Sequence, residues 1–192
     1  MTETVPPRFP KLIRRGGYES FYARAVAPET GRAVWLRHTF HAAGGGEAVV
    51  GSIWLTLFGA GDGVRAVKES TRDVAPSPAG GWVRIGRSQF GPDGVQGETD
   101  GARWSLRWSS EERALRHLPS GILYRTPLPK TKPESPLPAA EISGEVEIGE
   151  TRFELAEPLL EAVHRVPPAL EEDQVVTLDI DDQPGDLRHP GG

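Results

Sequence analysis

The chain contains no cysteine and only one methionine. Disulfides, thiolate metal sites, iron–sulfur clusters and cysteine nucleophiles are thereby excluded. Long apolar runs are missing as well. Nowhere do about 18 apolar residues stand together, as a membrane-spanning helix requires. Met1 to Gly17 mixes charges and prolines and holds no apolar stretch of signal-peptide length. A soluble, cytoplasmic protein without a membrane span is the expectation. Basic charge is also short: 22 Lys and Arg stand against 27 Asp and Glu, a net charge of −5. Nucleic-acid binding needs a basic surface that displaces counterions, so no nucleic-acid partner is expected.

The 192 residues suit one large or two small domains. Hydrophobic residues make 37% of the chain, enough for a modest core, while 23 Gly and 18 Pro argue for short segments joined by turns. Acids strongly outnumber bases from Ala156 onward. Pro127, Pro129, Pro133, Pro136 and Pro138 mark a strap over 126–138, expected to be extended and to stay out of a central ladder. The reading divides the chain into an N-terminal arm (1–13), a β domain (14–155) and an acidic, proline-containing tail (156–192). The tail is expected to be irregular and partly disordered, with a helical turn or two around Pro158 to Val166.

A period of two runs through the first half of the chain. Tyr18, Ser20, Tyr22, Arg24 and Val26 share one face of a strand, with Glu19, Phe21, Ala23 and Ala25 on the other. Val34, Leu36, His38 and Phe40 likewise oppose Trp35, Arg37, Thr39 and His41. Val49 to Phe58 sets Ile53, Leu55 and Leu57 against Trp54, Thr56 and Phe58, and Val64 to Ser70 follows a glycine turn. Further strands are expected over 82–85, 87–90, 95–99, 102–109, 114–118, 142–148 and 151–155, with Gly149 and Glu150 as a tight turn between the last two. Strands recurring with turn residues and no helical pattern between them predict an all-β, antiparallel barrel or curled sheet.

Familiar catalytic patterns are absent. Gly44 to Gly46 leads into Glu47 and Ala48 with no Lys-Ser/Thr, so it is no phosphate loop. His38 and His41 fall on opposite strand faces and cannot converge on one metal, and the serines lack a nucleophile elbow. No metal and no cofactor is expected. Polar residues among the aromatics of the first four strands stand out: Tyr18, Glu19, Tyr22, Arg24, Trp35, Arg37, His38, Lys68 and Glu69. Any that turn inward must pair, because an unpaired buried charge costs several kcal/mol. Arg37 or Arg24 with Glu19 or Glu69 is the expected pairing. These residues are either outward charges on half-exposed strands or a polar cluster at the floor or mouth of a pocket. Trp35, Trp54, Trp82, Trp104 and Trp108 are core fillers or walls of a ligand site, and Trp104 and Trp108 share one strand face.

The block from Gly17 to Arg24 ending in Ala27-Pro28, then Ala33 to Phe40, then Ile53-Trp54 and Val67 to Ser70, resembles the N-terminal lipocalin-like domain of the carotenoid 1,2-hydratase (hydroxyneurosporene synthase) and AttH-like superfamily. Leu128 to Lys132, Ser135 to Pro138 and Ser143 to Ile148 are similar to its tocopherol-cyclase-like relatives. The resemblance covers about residues 14–155. It implies a lipocalin-like barrel, a large apolar ligand held within or between barrels, and a polar cluster of Tyr18, Glu19, Arg37, Lys68 and Glu69 that faces inward or toward a second domain. Members with an assigned activity hydrate a carotenoid double bond by protonating it. The chain departs from the family after Leu155, where a Gly-His-aromatic-Gly segment and a second barrel would follow.

Three function classes follow. The preferred one is non-catalytic binding of a hydrophobic small molecule, a lipid or isoprenoid-like ligand, with Tyr18, Tyr22, Trp35, Arg37, Trp54, Lys68, Glu69, Trp104 and Trp108 as binding residues. The second is an isoprenoid-modifying hydro-lyase, degenerate or completed by another chain, with Glu19 and Glu69 as candidate acids. The third is a structural half-domain that pairs with a second lipocalin-like barrel or with itself.

Overall fold

In the computed structural model, residues 16–27, 30–44, 49–60, 63–77, 80–126 and 132–166 are described, with 156–166 by backbone alone. Four long strands open the chain: β1 (Gly17–Ala27), β2 (Arg32–Ala42), β3 (Val49–Ala60) and β4 (Gly63–Thr71). Short strands follow as β5 (Val74–Ala75), β6 (Val83–Ile85), β7 (Ser88–Phe90) and β8 (Gly94–Thr99). Then come β9 (Ala102–Ser109), β10 (Leu115–Arg116), a 3-10 turn at Gly121–Tyr124, and the long β11 (Glu134–Ile148) and β12 (Thr151–Val166).

All pairs are antiparallel, in the order β4-β3-β2-β1-β12-β11-β9-β8-β7-β6-β5, with β10 extending the ladder beside β11. The sheet curls strongly into a half-barrel. Its two ends are joined through Arg72 and Asp73, and residues far apart in strand order meet across the hollow side. Phe21 of β1 lies 6.0 Å, ring centre to ring centre, from Phe90 of β7, and His38 of β2 bonds Ser88 of β7. Gly51 allows the overlap: a Cβ there would stand 2.7 Å from Val74 and 2.8 Å from Ile85, so β3 needs glycine where β5 and β6 fold over it.

The period of two decides what fills the curl. Phe21, Ala23 and Ala25 of β1, Val34, Leu36 and Phe40 of β2, and Ile53, Leu55 and Leu57 of β3 all turn inward and are buried. Trp104, Leu106 and Trp108 of β9 face them, with Phe90, Ile85 and Trp82 from the short strands and their approach. Trp82, Phe21, Phe90 and Trp108 form one aromatic cluster, in which Trp82 stacks on Phe21 at 5.7 Å and on Phe90 at 5.8 Å. Each fully buried side chain of this size stabilises the fold by about 1.5–3 kcal/mol over its exposed form. The inside of the curl is therefore packed with side chains around this cluster.

Two sequence expectations need correction. The span Pro158–Val166 is not helical; it continues β12, whose backbone pairs with β11 along its length and, at Val163–Val166, with Phe21, Ala23 and their neighbours in β1. Ladder bonds on both sides override any local helical preference. The strap does not stay wholly out of the sheet either. Residues 127–131 lie outside the described set, but Glu134 to Pro138 opens β11 between β12 and β10. Its register shifts between Glu134 and Leu137 and again between Leu137 and Ala140, at Pro136 and Pro138, which have no N–H to give a ladder. Residues 1–15 and 167–192 lie outside the described set, so the arm and the rest of the tail remain expectations.

Candidate functional site

Antiparallel register carries strand parity from one strand to the next, so it also decides which predicted site residues meet. Tyr22 stands opposite Arg37, Arg37 opposite Trp54, and Trp54 opposite Lys68, forming one row across β1–β4. Arg24, Trp35, Thr56 and Ala66 make the next row, and Ser20, Thr39, Ser52 and Ser70 the row on the other side. All of these lie on the outer face of the curl. Trp35, Arg37, Trp54, Tyr18 and Tyr22 are half-buried there and Lys68 is exposed.

The side chains of the central row are held in place. Arg37 Nε donates to Ser20 Oγ at 2.9 Å, and its Nη2 donates to the Tyr18 hydroxyl. The Arg37 guanidinium also sits 5.9 Å from the Tyr18 ring centre, and Lys68 Nζ lies 4.1 Å above the Trp54 ring, both within cation–π range. Ser52 and Ser70 bond each other at 2.8 Å. Burial raises the Tyr22 phenol above its ordinary pKa although Arg37 and Arg24 pull it down, so the phenol keeps its proton at neutral pH.

The remaining predicted residues face the other way. Trp104 and Trp108 are buried in the core, Trp108 with its Nε1–H on the Pro92 carbonyl at 2.7 Å and Trp104 with an Nε1–H that finds no partner among the described residues. Glu19 is fully buried on the inner side of β1. Glu69 is half-buried beside Gly86, on the face of β4 away from Lys68. The nine binding candidates thus fall into an outer group of six and an inner group of Glu69, Trp104 and Trp108. Glu19 and Glu69 are separated by the sheet itself from Arg37, so the expected pairing of Arg37 with either does not form; the neutral oxygens of Ser20 and Tyr18 take its place.

A buried polar unit escaped notice as a unit in the sequence. Ser88 Oγ donates its one proton to the Gln96 carbonyl at 3.1 Å, so His38 Nε2, 2.7 Å from Ser88 Oγ, must be the donor in that bond. Nδ1 is then a bare acceptor, fully buried and without a partner among the described residues. Burial holds the His38 pKa down at about 3, so the ring is neutral. Its parity with Leu36 and Phe40 was the available signal; no pattern linked it to Ser88.

Two open grooves lie elsewhere on the surface. One of about 430 Å³ runs over β9, β11 and β12 between Ser105, Arg107, Ser143 and Glu154. It forms where Gly144 adopts a φ of +133° and lets its backbone approach the Ser105 carbonyl. The other, about 290 Å³, borders Phe90, Gly94 and Arg107. Neither includes any of the nine binding candidates. Among the described residues no three His, Asp or Glu side chains gather as a metal site, and no helix is long and apolar enough to cross a membrane.

Fold and site together define an all-β protein whose antiparallel sheet curls into a half-barrel with an aromatic and cationic outer face. Comparison with solved structures finds a protein of Nitrosomonas europaea provisionally named AttH, similar over 90% of this chain and 57% of that one at 14% identity and a TM-score of 0.47. CghA, solved with Sch210972, is similar over 80% of this chain and 46% of that one, at 11% identity and a TM-score of 0.49. The chain spans about half the length of these structures. No protein-family profile and no curated protein matches it.

Proposed function

We propose that the protein is a non-catalytic binder of a hydrophobic small molecule, and that the molecule lies on the outer face of β1–β4. The observation that carries this reading is the row Tyr22, Arg37, Trp54 and Lys68, flanked by Tyr18 and Trp35: aromatic surface and fixed polar groups in contact on one face. The hollow side offers the competing place, but Phe21, Trp82, Phe90 and Trp108 already occupy it. Amphipathic aromatic side chains left half-exposed in a group are a usual mark of a binding surface. An open face covers a ligand on one side only, so micromolar or weaker affinity is expected.

The hydro-lyase reading would draw its acid from Glu19 or Glu69, both on the face away from this row, which favours the non-catalytic alternative. The pairing reading has one observation of its own. Val50 and Phe58, on the outer side of β3, are 40% and 39% exposed, and a second barrel or a second copy set against that side would cover them.

The test is titration of the chain with Nile red, a neutral apolar dye whose emission reports its surroundings. Trp54→Ala, checked for an unchanged circular dichroism spectrum, is expected to weaken binding about tenfold, as the loss of one aromatic anchor does. Equal binding by the folded variant contradicts the outer-face site.

A further inference from the structure

We infer that the ligand of this face is an apolar molecule bearing a carboxylate, received by Arg37 with Lys68 as the second cation. The inference rests on the outer-face reading and adds the charge of the ligand. Among β1–β4 the only carboxylates are Glu19 and Glu69, and both turn to the other side of the sheet. On the outer face of these four strands Arg37 and Lys68 therefore stand with no acid of β1–β4 beside them, in a chain where acids outnumber Lys and Arg 27 to 22.

Arg37 is the decisive residue. It is half-buried, its Nε and Nη2 are held by Ser20 Oγ and the Tyr18 hydroxyl, and both acceptors are neutral. Of the five N–H donors of a guanidinium these bonds fix the fork and leave Nη1 without an acceptor among the described residues. A partly desolvated cation aimed this way gains most from an anion, since charge-assisted hydrogen bonds are roughly twice as strong as neutral ones and a guanidinium matches a carboxylate with two parallel bonds. The Tyr18 hydroxyl, which accepts from Arg37, still has its own proton to donate to the same group. Lys68 likewise has no carboxylate partner among the described residues and lies over the Trp54 ring. Trp54 stands between the two cations, so an apolar body resting on the indole would place its acid group within reach of either. Two cations on a chain of net charge −5 suit one small anion better than a nucleic-acid backbone.

The experiment titrates the full chain with decanoate and with decanol, followed by tryptophan fluorescence, for the wild type, Arg37→Gln and Lys68→Gln. Decanoate is expected to bind about tenfold more tightly than decanol, a margin of the size one charge-assisted contact supplies. That margin should vanish in Arg37→Gln, where decanoate is expected to bind no more tightly than decanol does to the same variant, shrink in Lys68→Gln, and fall at 0.5 M salt. Equal binding of the two by the wild type, survival of the full margin in Arg37→Gln, or tighter binding of a single-stranded oligonucleotide than of decanoate each overturns the inference. If acid and alcohol bind alike and both weaken in Trp54→Ala, the outer-face site stands and its charge preference falls. If neither binds, both fall.

Discussion

Along β2, Leu36, His38 and Phe40 turn into the curl while Trp35, Arg37 and Thr39 turn out of it, and β1 and β3 repeat the contrast. One backbone thus carries two surfaces under different physical rules. On the inner face apolar side chains from distant strands interlock, and the buried polar His38 has one side of its ring satisfied by Ser88, whose hydroxyl is in turn held on the Gln96 carbonyl. On the outer face aromatic and cationic side chains lie half in water, their positions set by cross-strand neighbours rather than by close packing. Removing water from the inner face maintains the fold, and the half-wet outer face is where we propose that a ligand meets the chain. Substitutions on the two faces should therefore report on different quantities, stability for one and binding for the other.

The largest expected difference is in stability. Phe90→Ala removes the ring that touches Phe21, Trp82, His38 and Trp108, and should lower unfolding free energy by about 3–5 kcal/mol in urea denaturation. Trp54→Ala removes an aromatic of similar bulk from the outer face and should cost about 1 kcal/mol, chiefly its contact with Lys68 and partial burial. Equal losses would mean that the outer face is part of the core, and the contrast between the faces would be gone.

A second effect separates the faces by pH. His38 has a folded-state pKa of about 3 against an ordinary 6.5, so the unfolded chain binds a proton that the folded chain refuses. Its contribution is complete above pH 6.5 and is lost as the pH falls from there toward 3, by about 1.4 kcal/mol per pH unit within that window. His38→Gln, which keeps a donor for Ser88 but cannot titrate, should flatten the fall of stability between pH 6.5 and 4 relative to wild type. An identical slope in wild type and His38→Gln would contradict the buried neutral ring.

Most of the architecture could be read from alternation. The strands expected over Val49 to Phe58, Ala102 to Ser109 and Thr151 to Leu155 are present as β3, β9 and the start of β12, and Gly149 with Glu150 makes the turn. Long periodic segments with glycine or proline at their ends state their own conformation. Pro158 to Val166 did not, because its strand exists through partners on both sides, β11 and β1, which no local pattern encodes. Within the site, parity alone groups Tyr18 with Tyr22, and Arg37 with Trp35, and already sets Glu19 on the other side of its strand from Tyr18 and Tyr22. Which of the two faces is the inner one was not legible. Each face carries both apolar and polar side chains, and the choice is made by β7 and β9 arriving with Phe90, Trp104 and Trp108 to close on the Phe21 side. The bond from His38 to Ser88 belongs to the same category, a contact between residues fifty positions apart that exists only once the sheet has curled.

The central claim is that ligand meets the outer face while the inner face stays closed. Backbone amide NMR of the labelled chain, titrated with a neutral apolar dye, tests this most directly. The predicted result is a set of shifts confined to β1–β4, strongest around Arg37, Trp54 and Lys68 and at the Trp54 indole N–H, with the Trp104 and Trp108 indole signals unmoved. Shifts centred on Trp104, Trp108 and Phe90, with the Trp54 indole still, would show the ligand inside the curl and contradict the account.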